Sequence, residues 1–264
     1  MYVGPQNTEG LHPLRSLFYA IDLYDEIQIK LSDTSSHHID FLGMNVDAVN
    51  TCTRVFDLMK DHLDRFWSVT VIKHIPIGAG LGGGSSNAGT LIRALNTLES
   101  LDLAHDDLLG IAKHIGSDVP FFLTGGACDV SGIGDVVRPL QNQPPFYFVL
   151  VFPNQTCHTA DIYAHFDSLG DSDDLSTLGE DAIFSYGYNS LAHAVFDRFP
   201  DLNDLMQRIE SIVSVPVFLS GSGSTLYLMM EDPVVQTTVF DKLNVALDCR
   251  VHKCSSVVGT EGRT

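Results

Sequence analysis

Pro76-Ile77-Gly78-Ala79-Gly80-Leu81-Gly82-Gly83-Gly84-Ser85-Ser86-Asn87 packs five glycines into seven residues. The segment before it, Trp67 to Ile75, alternates β-branched and apolar residues as a half-buried strand does, and Pro76 stops it. Beyond the glycines, Ala88, Leu91, Ile92, Leu95 and Leu98 recur at helical spacing, and Ser85 and Ser86 read as N-terminal caps of that helix. Glycines set between a strand and a helix start suit one ligand chemistry. A phosphate chain is held by backbone N–H groups with no Cβ in the way, backed by a helix N-terminus.

Three readings of such a loop can be weighed on neighbouring residues. A Walker-type loop needs lysine directly after its last glycine, and Ser85 stands there. The dinucleotide pattern does occur, as Gly78-x-Gly80-x-x-Gly83, but a Rossmann unit needs a second parallel strand after the helix. Here a second helical pattern follows, with Leu103, Leu108, Ile111, Ala112 and Ile115 apolar. A glycine loop that only turns the chain rarely needs so many glycines together.

The third reading is a resemblance. The loop is similar to the phosphate loop of the galactose, homoserine, mevalonate and phosphomevalonate kinases, and most closely to its form P-x-G-A-G-L-G-G-G-S-S-D-A-A in the 4-diphosphocytidyl-2-C-methyl-D-erythritol kinases. Asn87 and Gly89 depart from that form without touching its glycines or serines. Four more segments follow in the family's order. Gly10 to Ser16 with Ala20 to Asp25 resembles its D-G-Y-H-x-L-x-S and I-D-L-Y-D segments, and Gly116 to Phe122 matches G-S-D-V-P-F-F. Gly132 to Asp135 resembles G-I-G-E, and Ser220 to Thr225 matches S-G-S-G-S-T.

The resemblance implies an α+β fold of two domains, with an ATP-binding domain over 1–143 and a second α+β domain over 144–264. It implies ATP and Mg²⁺ as cofactors, with the triphosphate on residues 76–86. It also implies phosphorylation of the 2-hydroxyl of a small cytidine diphosphate substrate, in the non-mevalonate route to isoprenoids. Asp118 would accept the hydroxyl proton, a contribution of ~10²- to 10⁴-fold. From the residues alone, Asp118 is a carboxylate between an apolar helix face and Val119-Pro120-Phe121-Phe122, and such flanks raise proton affinity. An aspartate before proline also caps ordinary turns.

By the same resemblance, His12 and Tyr163 would stack on the cytosine, and Gly221, Ser222 and Gly223 would form a second glycine loop near the phosphates. Leu11 stands where the family has tyrosine. The family also opens with a strand A-K-x-N-L whose lysine sits beside the aspartate. No counterpart occurs before Met1-Tyr2-Val3-Gly4, so the first strand is expected to be truncated. Lys73 holds the position before the phosphate loop and Lys30 belongs to the next strand, so neither replaces it. Three alternatives therefore stay open: another kinase of the superfamily, a nucleotide-binding homologue with weak or no turnover, and a dinucleotide oxidoreductase.

Composition narrows the classes further. A formal net charge of −18 argues against nucleic acid and anionic membranes as partners. No apolar run reaches eighteen residues and no signal-peptide pattern opens the chain, so a cytoplasmic protein is expected. Five scattered cysteines without a C-x-x-C pair fit reduced thiols rather than disulfides or zinc. His37 and His38 read as a solvated turn, and the acidic run from Asp167 to Asp181 as a solvated connector. The Mg²⁺ ligands are not legible, and assembly stays open, a homodimer included. Expected elements are strands near 17–31, 67–75, 146–152, 215–219, 226–230 and 250–255. Helices are expected near 46–66, from the glycine loop through Leu98, over Leu103 to Ile115, and near 158–166, 189–199, 201–213 and 234–247.

Overall fold

The computed structural model describes residues 1–184 and 186–257, so the last seven residues of the expected second domain, and residue 185, lie outside it. The first part of the chain runs β1 (Tyr2–Val3), β2 (Leu14–Tyr19), β3 (Glu26–Leu31), β4 (His38–Phe41), α1 (Thr51–Met59) and β5 (Trp67–Ile72). It continues through α2 (Gly83–Leu98), α3 (His105–Ile115), α4 (Val119–Thr124), β6 (Ala127–Ser131), β7 (Val136–Pro139) and β8 (Tyr147–Phe152). Then come α5 (Thr159–Leu169), α6 (Leu191–Arg198), α7 (Pro200–Ile212), β9 (Phe218–Leu219), β10 (Leu226–Met230), α8 (Pro233–Ala246) and β11 (Arg250–Ser255). The mixture is the α+β fold that the resemblance implied. Among the described residues no helix is long and apolar enough to cross a membrane.

Two compact units share these elements, and they do not follow the expected division at 143/144. One comprises Met1–Asp22, Ile77–Leu81 and the chain from Gly125 onward; the other comprises Leu23–Pro76 and Gly82–Thr124. The reason is strand pairing. β2 pairs antiparallel with β6, Ser16 opposite Val130 and Tyr19 opposite Ala127, which ties the first residues to the second half of the chain.

The unit of Leu23–Pro76 and Gly82–Thr124 is built on a three-stranded sheet in the order β3-β5-β4, with β5 antiparallel to β3 and parallel to β4. The alternation predicted for β5 is met, with Trp67, Val69 and Val71 buried. Helices supply the other half of this core by one stripe each. In α1 the stripe is Cys52, Val55, Phe56 and Met59; in α2 it is Ala88, Leu91, Ile92 and Leu95; in α3 it is Leu108, Ala112 and Ile115. These spacings of three and four put every member on one helical face. All join a single cluster with the sheet face, each fully buried Leu or Ile contributing about 1.5–3 kcal/mol.

Local chemistry sets the ends of these helices. Asn50 caps α1 by accepting from the N–H groups of Cys52 and Thr53, while Thr53 Oγ1 accepts the Asn50 N–H at 2.9 Å. The helix expected over 46–66 is therefore only Thr51–Met59 with a short 3-10 turn at Lys60–His62, because the cap fixes its start. α3 carries Asp106 and Asp107 in its first turn and Lys113 and His114 in its last, signs that complement its dipole. The stretch expected as one strand over 17–31 is broken between Tyr19 and Glu26, and its halves enter sheets of different units.

The other unit holds two four-stranded sheets, ordered β1-β2-β6-β7 and β11-β8-β10-β9. β8 is central and reads as a continuous apolar run, with Phe148 to Phe152 all buried. Helix α8 is tied to its sheet by a buried amide: Gln236 Nε2 donates to the carbonyls of Phe148 and Cys254, each at 2.8 Å. The acidic connector is only partly solvated. Asp173 accepts from the Val3 N–H at 2.8 Å and from the Tyr188 hydroxyl at 2.6 Å, so it is an anchor. His37 is likewise no solvated turn, since its ring stacks on Phe56 at 4.1 Å and accepts the Trp67 N–H at 3.2 Å. His38 begins β4.

Candidate active site

The glycine loop divides between the units, Ile77–Leu81 in one and Gly82 onward in the other. Gly78, Gly80 and Gly82 all lie in the left-handed region, at φ of 68°, 71° and 64°, while Ala79 and Leu81 between them do not. Such alternation turns consecutive N–H groups toward one side, the arrangement that binds anions. Packing demands glycine here as well. A Cβ on Gly80 would stand 2.2 Å from the Ser220 carbonyl oxygen and 2.6 Å from that of Gly223.

That close approach brings the second predicted loop into the account. Gly221, Ser222 and Gly223 lie in the turn between β9 and β10, and this turn is hydrogen-bonded to the first loop. The Thr225 N–H donates to the Ala79 carbonyl at 3.2 Å, and Ser220 Oγ donates to the Gly80 carbonyl at 2.8 Å. Ser222 Oγ is spent on Thr159 Oγ1 at 2.9 Å. Asn189 braces the turn by donating to the carbonyls of Leu219 and Gly221. No local pattern marks Asn189, because its partners are some thirty residues away.

Gly82 is the N-cap of α2, and Gly83, Gly84, Ser85 and Ser86 already lie within the helix. The predicted serine caps are thus corrected: a left-handed glycine starts the helix, and its first internal bond runs from the Ser86 N–H to the Gly82 carbonyl at 2.8 Å. No side chain caps this end and no acidic residue sits in its first turn. Its first N–H groups therefore face outward without an intrahelical acceptor. Of the remaining predicted loop residues, Ala79 is buried and Ile77 is half exposed, while Pro76 closes the stretch that follows β5.

Asp118 stands between Gly116, which closes α3, and the start of α4. Burial raises its carboxyl above the usual aspartate range, with the Ser117 hydroxyl at 3.4 Å pulling the other way. Among the described residues no cation pairs with it. Asp118 and the start of α2 belong to the same unit, and α4 touches that start directly: the Phe122 ring lies where a Cβ on Gly82 would come within 2.8 Å. Lys73 also lies at this end of α2, since a Cβ on Gly83 would come within 3.0 Å of its Nζ, and it is ion-paired to Asp25.

His12 and Tyr163 are brought together, but not as two walls of a slot. Their ring centroids are 5.1 Å apart at 38°, whereas a base between them needs about 7 Å, two ring contacts of ~3.5 Å each. As they stand the rings touch each other. His12 Nδ1 donates to the Gly4 carbonyl at 2.9 Å, and its buried Nε2 lies 3.2 Å from Asp167 Oδ1 in a geometry that makes no hydrogen bond.

A cavity of about 530 Å³ opens elsewhere, lined by the His37 and Phe56 rings, Asn50, Asp40, Asp47, Asp57 and Lys60 among others. None of the predicted site residues lines it, and its surplus of carboxylates does not suit a polyphosphate. Among the described residues no three or more His, Cys, Asp or Glu side chains cluster as a metal site.

Comparison with known proteins agrees with the motifs. Residues 50–126 match the model of the GHMP kinases N terminal domain. The chain is 32% identical to the 4-diphosphocytidyl-2-C-methyl-D-erythritol kinase of Chlorobium phaeobacteroides, over 88% of this chain and 85% of that protein. A solved 4-(cytidine 5'-diphospho)-2C-methyl-D-erythritol kinase superposes with a TM-score of 0.75 at 27% identity, covering 96% of this chain and 94% of the other. A homoserine kinase from Cytophaga hutchinsonii shares the fold, with a TM-score of 0.71 at 18% identity over 92% and 89% of the two chains.

Proposed function

The chain belongs to the 4-diphosphocytidyl-2-C-methyl-D-erythritol kinases, a family of ATP-dependent kinases, and on that premise we propose that it moves the γ-phosphoryl group of ATP to the 2-hydroxyl of 4-diphosphocytidyl-2-C-methyl-D-erythritol. This is a step of the non-mevalonate route to isoprenoid precursors. The single observation that carries the phosphate role is the run of left-handed glycines leading into an uncapped helix start. That cradle has no acidic residue in the first turn of α2, and a Cβ at Gly80 or Gly82 would collide with its neighbours. It fits a polyphosphate.

In this reading Asp118 takes the proton of the substrate hydroxyl as its oxygen bonds to the γ-phosphorus. The bond from that phosphorus to the bridging oxygen breaks, and ADP leaves with the electron pair. The raised carboxyl suits the task because a base with greater proton affinity draws the proton more strongly. The N–H groups of residues 78–86 hold the phosphate oxygens in line, which supplies most of the acceleration in phosphoryl transfer. His12 and Tyr163 would take the cytosine, with Tyr163 turning aside from its present contact.

Mg²⁺ when bound would spread the charge on the transferring oxygens. The test is direct: incubate the protein with ATP, Mg²⁺ and the cytidine diphosphate alcohol, follow ADP release, and identify the new phosphomonoester by ³¹P NMR. ADP release with homoserine or mevalonate in preference would move the chain to another substrate. Tight ATP binding with no phosphomonoester would sink the kinase reading.

A further inference from the structure

Where β5 gives way to the glycine loop, one carboxylate makes three contacts. Asp25 Oδ1 accepts the N–H groups of His74 at 2.8 Å and Ile75 at 2.9 Å, and its Oδ2 pairs with the Lys73 ammonium. Both side chains are buried, 2% and 8% exposed. The two backbone bonds fix the turn, while the ion pair fixes where the ammonium stands. It stands at the first turn of α2, against Gly83.

That is an unfavourable place for a cation. A helix N-terminus carries partial positive charge and stabilises anions, and a buried ion pair on its own is weak grounds for stability. An ammonium has three N–H donors, and the pair with Asp25 uses one. The helix start beside it presents donors too, with no side-chain cap and no acidic residue in its first turn. Asp25 is the acceptor for one of these donors, and the others suit a further anion.

We propose that Asp25 is a positioning residue for nucleotide binding, holding Lys73 so that its remaining N–H groups meet a phosphoryl oxygen at the start of α2. The assignment rests on the phosphate-loop reading above. A simple brace for the β5 turn would be satisfied by the backbone bonds alone. Substitution with asparagine separates the two roles. Asp25→Asn keeps an oxygen for the His74 and Ile75 N–H groups and turns its amide NH₂ toward Lys73, so the ammonium loses its anchor.

The experiment is titration calorimetry of adenosine, ADP and Mg²⁺-ATP on the wild type, Asp25→Asn, Lys73→Met and the double variant, with thermal unfolding of each. ADP and ATP should bind roughly 10- to 100-fold more weakly to either single variant, the size of one charge-assisted hydrogen bond. Adenosine should bind unchanged, and the double variant should be no weaker than Lys73→Met. Wild-type ADP affinity in Asp25→Asn, or equal losses of adenosine and ADP, overturns the assignment while leaving the phosphate loop standing. A wild type that binds no ATP would remove the phosphate-loop reading and this assignment with it. Should Asp25→Asn fail to fold, Lys73→Met carries the same comparison of adenosine with ADP.

Discussion

Replacing Gly80 by alanine tests the central geometric claim, that the two glycine loops of one unit touch through their backbones. The new Cβ would lie 2.2 Å from the Ser220 carbonyl oxygen and 2.6 Å from the Gly223 carbonyl oxygen, against ordinary contacts of about 3.5 Å. Neither obstacle is the tip of a flexible side chain, so backbone must move by more than 1 Å. The residue would also keep a φ near +71°, which costs a non-glycine residue about 1–2 kcal/mol. Moving the loops apart endangers the Thr225-to-Ala79 and Ser220-to-Gly80 hydrogen bonds, worth about 0.5–1.5 kcal/mol each. The total is a loss of about 2–5 kcal/mol from these two sources. Urea unfolding reads it directly, as a lower midpoint at unchanged slope. Calorimetry on the folded variant should show ADP binding lost with it. A Gly80→Ala protein within ~0.5 kcal/mol of wild type that still binds ADP would refute the close approach, since ordinary surface substitutions fall within that range.

Gly84→Ala should behave in the opposite way: Gly84 lies in α2 with its nearest neighbour 3.4 Å from a new Cβ, so stability should hold or rise by up to ~1 kcal/mol while ATP affinity falls. Unchanged ATP affinity would put the phosphates elsewhere. Asp118→Asn should lower kcat by ~10²- to 10⁴-fold with ATP affinity retained, read by coupled ADP release. Because burial raises the folded carboxyl's pKa above its unfolded value, the folded chain holds the proton longer, and the ionised form weakens the fold. The wild type should therefore lose stability relative to Asp118→Asn as pH rises from the ordinary aspartate range through that raised pKa, and equal pH profiles would contradict the burial. Tyr163→Ala should raise the KM of the cytidine substrate at least about fivefold, the low end of one lost stacking contact, with the KM of ATP unmoved; steady-state kinetics at saturating partner decides it.

What could be read from the sequence was information that a few neighbouring residues carry by themselves. Helical stripes such as Cys52, Val55, Phe56 and Met59, or Leu91, Ile92 and Leu95, are visible because a helix closes its own hydrogen bonds and leaves only one face to the core. The glycine loop was visible for a related reason: its left-handed residues need glycine whatever surrounds them. Partnerships across the chain were not visible. β4 and β6 are short strands that exist by pairing with β5 and β2, and nothing local distinguishes His38–Phe41 from a turn. The division at 143/144 failed on that same β2–β6 pairing, and the solvated reading of His37 failed because Trp67 and Phe56 bury it. Ser85 and Ser86 read naturally as caps, yet the helix already begins after Gly82, where the Phe122 ring leaves no room for a Cβ. The same asymmetry divides the site. Residues that present backbone to a ligand leave a compositional trace, whereas those that hold it in place, Asn189 under the second loop and Asp25 behind Lys73, are polar residues whose partners lie some thirty to fifty positions away. Such residues acquire a role only when folding supplies the partner, so they are found by asking of each buried polar group what would be left unpaired without it.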